Sequence, residues 1–373
     1  VRFLWFGSYS KGPGYPRSET LVAGLRELGH EVVEAHAPLF EGAGERVRLG
    51  AGGGATRAAW RQARAAVRLA KRYFAAGDHD VAVAGSGGVV DAALLRFLQN
   101  FDRVPLVLDE FIPLYDTVVR DRGLADASSL RARTLLRAER LSARLADVVL
   151  SDTSAQADLL AADLGIERSK LAVVPVAQSD PGPPAPLPEG GPLRVLLVAT
   201  FIPLHGVATV VDAAERLAGT GVRIRIVGAG QGLDEIAQRA ARVPGLELVP
   251  RFIPEDEVRA MLAASHVGLG VFGATEKAAR VVPLKAALVA SCGRALVTRD
   301  GPAAREGLTG AAEFVPPADP VALADTLARL ASDRGAVARL AAAARARYEE
   351  RFTPRAAAAR LVAAVESLAG RRA

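Results

Sequence analysis

The sequence predicts an α/β protein built from two facing Rossmann-like domains with a central cleft, and three observations carry that reading. The chain opens with an apolar strand over 2–7, the loop SYSKGPGYP, a helix over 17–28 stopped by Gly29, and a strand over 31–35. Strand, glycine-rich loop, helix and strand is the start of a doubly wound parallel sheet. The same order returns after residue 192 as LRVLLVA, TFIPLHG, VATVVDAAERLAG and VRIRIVG. Between the two lies AQSDPGPPAPLPEGGP, whose proline, glycine and polar content reads as an interdomain linker unable to build a packed element. The expected organisation is an N-terminal domain over 1–176, a linker over 177–192, a second domain over 193–353, and a last helix over 354–373 that returns to the first domain.

The 373 residues exceed most single cores, and half of them are hydrophobic, which suits two ordinary folded domains. A single cysteine, Cys292, excludes an internal disulfide and a cysteine-based metal site. No run of about eighteen apolar residues is present, so a cytoplasmic protein is expected, peripheral at the inner face of the membrane if it touches one. The net charge of +6 is too small to argue for nucleic acid, and no nucleic-acid module is recognisable.

In the first half the glycines at 7, 12 and 14 let a ligand approach the backbone, or simply shape a loop. LGAGGGAT, ahead of the next helix, reads as a loop. A helix over 55–75 places Arg57, Arg61, Arg64, Arg68 and Lys71 on one face, with Trp60, Ala63, Val67, Ala70 and Phe74 on another. That pattern fits a solvated face over a core stripe; it also fits a helix lying against anionic lipid. Strands over 81–84 and 106–108 follow. Asp109 and Glu110 close the second, at the end where a parallel sheet opens into its ligand crevice.

In the second half the organising stretch is Gly268 to Glu306. It predicts a strand, a loop rich in cations (Lys277, Arg280, Lys285), a helix and a buried strand over 295–297. A cationic loop in that position is a seat for a phosphorylated ligand. DPVALADTLARLASDRGAVARLAAAARARYEERF adds two short amphipathic helices, and Pro354 starts the last one.

Four motifs together carry a family resemblance: Tyr15-Pro16-Arg17, Asp109 to Thr117, Phe201 to Gly206, and Lys277 to Lys285. Over essentially its whole length the chain resembles the retaining glycosyltransferases of the GT-B fold, family 4. The resemblance implies a nucleotide-sugar donor, UDP- or GDP-linked, bound mainly by the C-terminal domain. It implies a saccharide or lipid-linked acceptor bound mainly by the N-terminal domain, and neither an obligatory metal nor another cofactor. Carried onto this chain, the catalytic residues are Asp109, His205 and Arg280. The donor-binding residues are Thr200, Gly206, Arg251, Lys277, Lys285 and Leu288, and the acceptor-binding residues Gly12, Gly14, Arg17 and Glu110. The paired glutamates of the broader family fall at Arg280 and Leu288, a basic residue at Thr200, a common glycine at Ala199 and a common asparagine at Leu284. These departures keep open a second reading, a binding or scaffold protein on the same fold.

Overall fold

The computed structural model describes residues 1–12, 16–39, 55–87, 90–100 and 104–372, with backbone only for 55–59 and 369–372. Gly14 and Tyr15 of the first loop, and residues 49–54 of the LGAGGGAT segment, lie outside the described residues. The chain divides into two compact units, residues 1–177 with 354–373, and residues 178–353.

Unit 1 alternates strand and helix: β1 (Arg2–Gly7), α1 (Arg17–Glu27), β2 (Glu31–His36), α2 (Ala55–Ala76), β3 (Val81–Ala84), α3 (Asp91–Gln99), β4 (Leu106–Asp109), α4 (Leu130–Leu145), β5 (Val148–Ser151), α5 (Ser154–Leu164) and β6 (Leu171–Val173). Apart from the edge strand β2, EVVEAH, the strands are short and largely apolar, as a parallel sheet covered on both faces requires. They form one parallel sheet in the order β2-β1-β3-β4-β5-β6. The order reverses between β1 and β3, where the loops after the two strands part and leave a crevice at the carboxyl edge. Helices α2 to α5 share one core layer through Leu69, Tyr73, Leu95, Ala143 and Leu160, so they cover the same face.

The residues on α2 correct one expectation. Trp60, Val67 and Phe74 were expected in the core stripe and are exposed, whereas Ala65, Leu69, Tyr73 and Ala76 are buried. The helix carries small or apolar residues on two sides, and periodicity does not say which side meets the sheet. Leu69 lies about 180° around the helix from Trp60, so burying one exposes the other.

Unit 2 contains β7 (Leu193–Phe201), α6 (Val207–Arg216), β8 (Val222–Gly230), α7 (Leu233–Ala240), β9 (Leu246–Val249), α8 (Glu255–Ala263), β10 (Val267–Leu269), α9 (Glu276–Arg280), α10 (Leu284–Ser291), β11 (Ala295–Arg299), α11 (Pro302–Leu308), β12 (Glu313–Val315), α12 (Pro320–Ser332) and α13 (Arg334–Arg347). Its parallel sheet runs β12-β11-β10-β7-β8-β9, with the reversal between β7 and β10. A single core binds β7, β8, β10 and β11 to α6, α12 and α13 through Val195, Ile226, Val210, Leu269, Val297, Leu323 and Val337. The last helix, α14 (Pro354–Arg372), belongs to unit 1. A Cβ on Gly24 of α1 would stand 2.0 Å from the Pro354 carbonyl oxygen, so only glycine lets α14 approach this closely.

The proline-rich stretch is not a loose tether. Buried Arg294 donates to the carbonyls of Ala185 and Pro186, the ring of His266 bonds the carbonyl of Pro188 at 3.0 Å, and Arg345 holds Asp180 at 3.0 Å. Extended backbone without internal hydrogen bonds offers free carbonyls, and guanidinium groups of unit 2 satisfy them.

Candidate functional sites

In unit 2 the site is built at the reversal between β7 and β10. Past β7 the chain makes a tight 3-10 turn over Pro203–His205 and enters α6 through Gly206, whose φ of +61° lies in the left-handed region. A Cβ on Gly206 would meet the Gly273 nitrogen at 2.5 Å, and one on Gly273 would meet the Pro203 carbonyl oxygen at 2.2 Å. The two loops are thus locked backbone to backbone, with Phe272 N–H donating to the His205 carbonyl and Gly273 N–H to the Leu204 carbonyl, both at 3.1 Å.

His205 sits in that lock with its Nδ1 against the Thr200 carbonyl oxygen. Burial, then the charge of Lys285, pushes the imidazole pKa down to about 2. The ring is therefore neutral at neutral pH, and a carbonyl at Nδ1 places the proton there and leaves Nε2 as an acceptor. His205 is not one of the site's cations. Lys285 occupies the first turn of α10, and its Nζ is buried with no hydrogen-bond partner. Burial alone brings its pKa down to about 7.

The cation-rich loop expected around Lys277 and Arg280 is instead a one-turn helix, α9, begun by the Thr275 hydroxyl accepting from Ala278 N–H at 3.2 Å. The spacing in TEKAAR is a capped helix start too short to show periodicity. Arg280 pairs with Glu276 at 3.2 Å. Sequence reasoning missed Arg299. It is buried at the carboxyl end of β11 and donates to the Gly273 carbonyl at 2.7 Å and the Thr275 carbonyl at 3.3 Å, pinning the loop that carries α9. Its only sequence signal is a cation ending a buried strand.

Thr200 is exposed at the end of β7, while Leu288 lies one turn along α10 from Lys285 and is half-buried. Arg251 stands apart from this cluster. It follows the edge strand β9, two strands or about 10 Å across from β7, and pairs with Glu257 at 2.8 Å on the surface.

In unit 1 the corresponding crevice is occupied by a buried ion pair and, beside it, by further buried acids. Arg17, the first residue of α1, is buried and ion-paired to Asp109 at 3.0 Å, with side-chain exposures of 5 % and 0 %. Its remaining donors reach the carbonyls of Val174 at 2.9 Å and Pro175 at 2.6 Å, and the guanidinium lies over the Phe111 ring. Asp109 is therefore a partner of Arg17 rather than a free base, and four of the five Arg17 N–H donors are taken up by Asp109 and the two carbonyls. The Gly12 N–H is likewise engaged, donating to Glu19 at 2.7 Å.

Glu110, next in sequence, is buried and held well above the usual carboxylate range by desolvation, then by the charges of Glu139 and Asp109. Burial raises Glu139 to about 7 against the amides of Tyr115 and Leu114, which donate to it. A further acid, Asp91 at the start of α3, accepts from Ser8 N–H at 2.6 Å and Ser8 hydroxyl at 2.8 Å, and burial raises its pKa. Beside these groups an open cavity is lined by Ser10, Arg17, Ser18, Ser86, Phe111 and Ile112. Among the described residues no cluster of His, Cys, Asp and Glu could hold a metal ion.

Comparison with known proteins also divides the chain in two, with the second match running on into α14. Residues 16–177 match the family model described as glycosyl transferase 4-like domain, and residues 208–363 match that described as glycosyl transferase-like. No curated protein sequence matches the chain. Among solved structures, Anabaena HepE in complex with UDP-glucose is similar with a TM-score of 0.68 at 15 % identity, covering 98 % of this chain and 99 % of that one. Sucrose-phosphate synthase from Thermosynechococcus elongatus is similar with a TM-score of 0.70 at 14 % identity over 99 % of both chains. A glycosyltransferase from Rickettsia africae gives 0.65 at 14 % identity over 98 % of both. At these identities the likeness shows the fold, two Rossmann-like units of the GT-B type, while the two family models span most of the sequence. The chain belongs to the group 1 glycosyltransferases of the GT-B fold.

Proposed function

We propose that the protein moves a sugar, with retention and without a bound metal or other cofactor, from a UDP- or GDP-linked donor on unit 2 to a hydroxyl of a saccharide or lipid-linked acceptor on unit 1. The observation that carries the reading is Lys285, a buried amine with no partner at the first turn of α10. Burying an ammonium unpaired is costly, and a diphosphate would supply the missing partner. The uncapped first turn of α10 adds free N–H groups for the same anion. Protonated Lys285 and these donors then stabilise the leaving diphosphate as its charge grows.

The other residues fall into supporting roles. Arg280, paired with Glu276, and Lys277 add positive charge from the same turn. Neutral His205 offers Nε2 as an acceptor for a hydroxyl of the donor sugar, and Gly206 holds the loop where it can do so. Glu110, kept protonated over a wider pH range than an ordinary glutamate, donates a hydrogen bond to the acceptor, while Asp109 orients Arg17. A lipid-linked acceptor would place the protein in the cytoplasm, at the inner face of the membrane.

Isothermal titration with UDP-, GDP- and ADP-sugars is expected to show binding to at least one donor, weakened about tenfold or more in Lys285→Ala. Silence across the panel overturns the proposal. A specific observation favours a second reading, a donor-binding protein that does not transfer. Leu284 and Leu288 flank Lys285 on α10, where ribose hydroxyls would need acceptors. Binding without sugar release or transfer, across a panel of acceptors, selects that reading.

A further inference from the structure

We infer that the exposed face of α2 is a membrane-docking surface for anionic lipid. The inference refines the peripheral location proposed above and does not depend on sugar transfer.

The side of α2 turned away from the sheet is apolar where a solvated helix would be polar. Trp60 is 67 % exposed, Val67 59 % and Phe74 72 %. They recur every seven residues, so they form one ridge along the helix, drifting by only about 20° per repeat. Leu69 and Tyr73 fill the opposite, core-facing side, so the ridge is not a misplaced core stripe. On the neighbouring α3, in the same layer, Phe97 is 77 % exposed.

The charge beside the ridge selects the occupant. Arg64, Arg68 and Lys71 are exposed along one flank within about 100° of Trp60. The Arg64 guanidinium lies 5.6 Å from the centre of the Trp60 ring. No acid occurs between Ala55 and Ala76. Asp78 and Asp80 come only after the helix ends, and Asp80 accepts from the Arg2 N–H at 2.7 Å. Large apolar side chains in a line, with cations on one side and no acid among them, match the layered chemistry of a bilayer surface. The rings enter the boundary between headgroups and chains, and the cations meet phosphate. A nucleic acid would use the cations and leave the ridge wet. Among the described residues no helix is long and apolar enough to cross a membrane, so the contact is peripheral.

The test uses the full chain and vesicles of phosphatidylcholine alone or mixed with phosphatidylglycerol. Trp60 reports directly, because the only other tryptophan, Trp5, is buried. Mixed vesicles are expected to pellet the protein at least about tenfold more efficiently than phosphatidylcholine alone, since the cations beside the ridge are drawn to anionic headgroups. Emission from Trp60 is expected to shift to the blue and to be quenched by brominated chains. Trp60→Ser with Phe74→Ser should abolish both pelleting and shift while leaving the thermal midpoint and any donor-induced shift in it unchanged. Arg64→Glu with Arg68→Glu should weaken pelleting in a salt-sensitive way. The inference is overturned by equal pelleting with both lipids, by unshifted Trp60 emission in vesicle-bound protein, or by binding to short nucleic-acid duplexes that outcompetes vesicles. Sedimentation showing that a lipid-free dimer already shields Trp60 also overturns it. Failure of the donor titrations leaves the vesicle result untouched, so the two proposals fail separately.

Discussion

The two crevices differ less in architecture than in how their charges are settled. Each lies at the reversal point of a six-stranded parallel sheet, and each gathers ionisable side chains from strand ends and loops. In unit 1 most of the charges find partners within the unit, Arg17 with Asp109 and two carbonyls, Asp91 with Ser8, Glu139 with two amides, while Glu110 is left beside like charges. In unit 2 the central ammonium, Lys285, finds none. A satisfied buried pair holds a scaffold in shape, whereas an unsatisfied one stores a cost that only a ligand relieves.

The largest expected effect breaks the satisfied side. Arg17→Met leaves Asp109 buried beside an apolar chain and frees two carbonyls. Urea denaturation is expected to show a loss of about 3 to 5 kcal/mol. A loss below about 1 kcal/mol would mean the pair behaves like a surface contact and the contrast fails.

On the unsatisfied side the sign reverses. The folded-state pKa of Lys285 lies near 7, below the value of 10.5 for an exposed lysine. The folded protein therefore holds fewer protons than the unfolded chain between those values. Stability rises with pH across that window, and the cost is fully present below about 7. Lys285→Met is expected to stabilise the free protein at pH 6 by about 2 to 4 kcal/mol and to erase the donor-induced rise in its thermal midpoint. Donor binding by the unmodified protein should weaken above pH 7, as the amine loses its proton. Destabilisation by the methionine would place the amine in a satisfied setting instead.

A smaller effect sharpens the comparison within unit 1. The Glu139 carboxyl is raised from 4.5 to about 7, so the folded state holds the extra proton. Its stabilising contribution is full below pH 4.5 and is lost as pH rises through 7. Glu139→Gln keeps an acceptor for the two amides and cannot ionise. It should flatten the pH–stability curve between 5 and 8 by about 1 to 2 kcal/mol, and an unchanged slope would assign the titration to Glu110 alone.

Much of the fold was legible because its signals are local. Short apolar strands, Gly29 after the first helix and Pro354 before the last each act through neighbouring backbone. The cations of the second crevice were legible as a cluster, and their host element was not, because TEKAAR is one turn and shows no period. Asp109 was legible as a strand-end acid, but its partner lies ninety-two residues earlier in the chain. His205 was legible as a loop residue of the Phe201 to Gly206 motif, but its neutrality follows from burial beside Lys285.

By itself, then, the sequence determined the alternation of strand and helix, the repeated opening of each half, and the kinds of charge near each crevice. Those follow from side-chain period and turn chemistry over a few residues. The tertiary structure alone decided that α2 buries Leu69 and shows Trp60, that the proline-rich stretch is strapped down by Arg294 and Arg345, and that Asp109 is spent on Arg17 while Lys285 is left alone. The reason is physical: exposure and pairing depend on which distant groups arrive within a few ångströms, and they set whether a charge is scaffold or site.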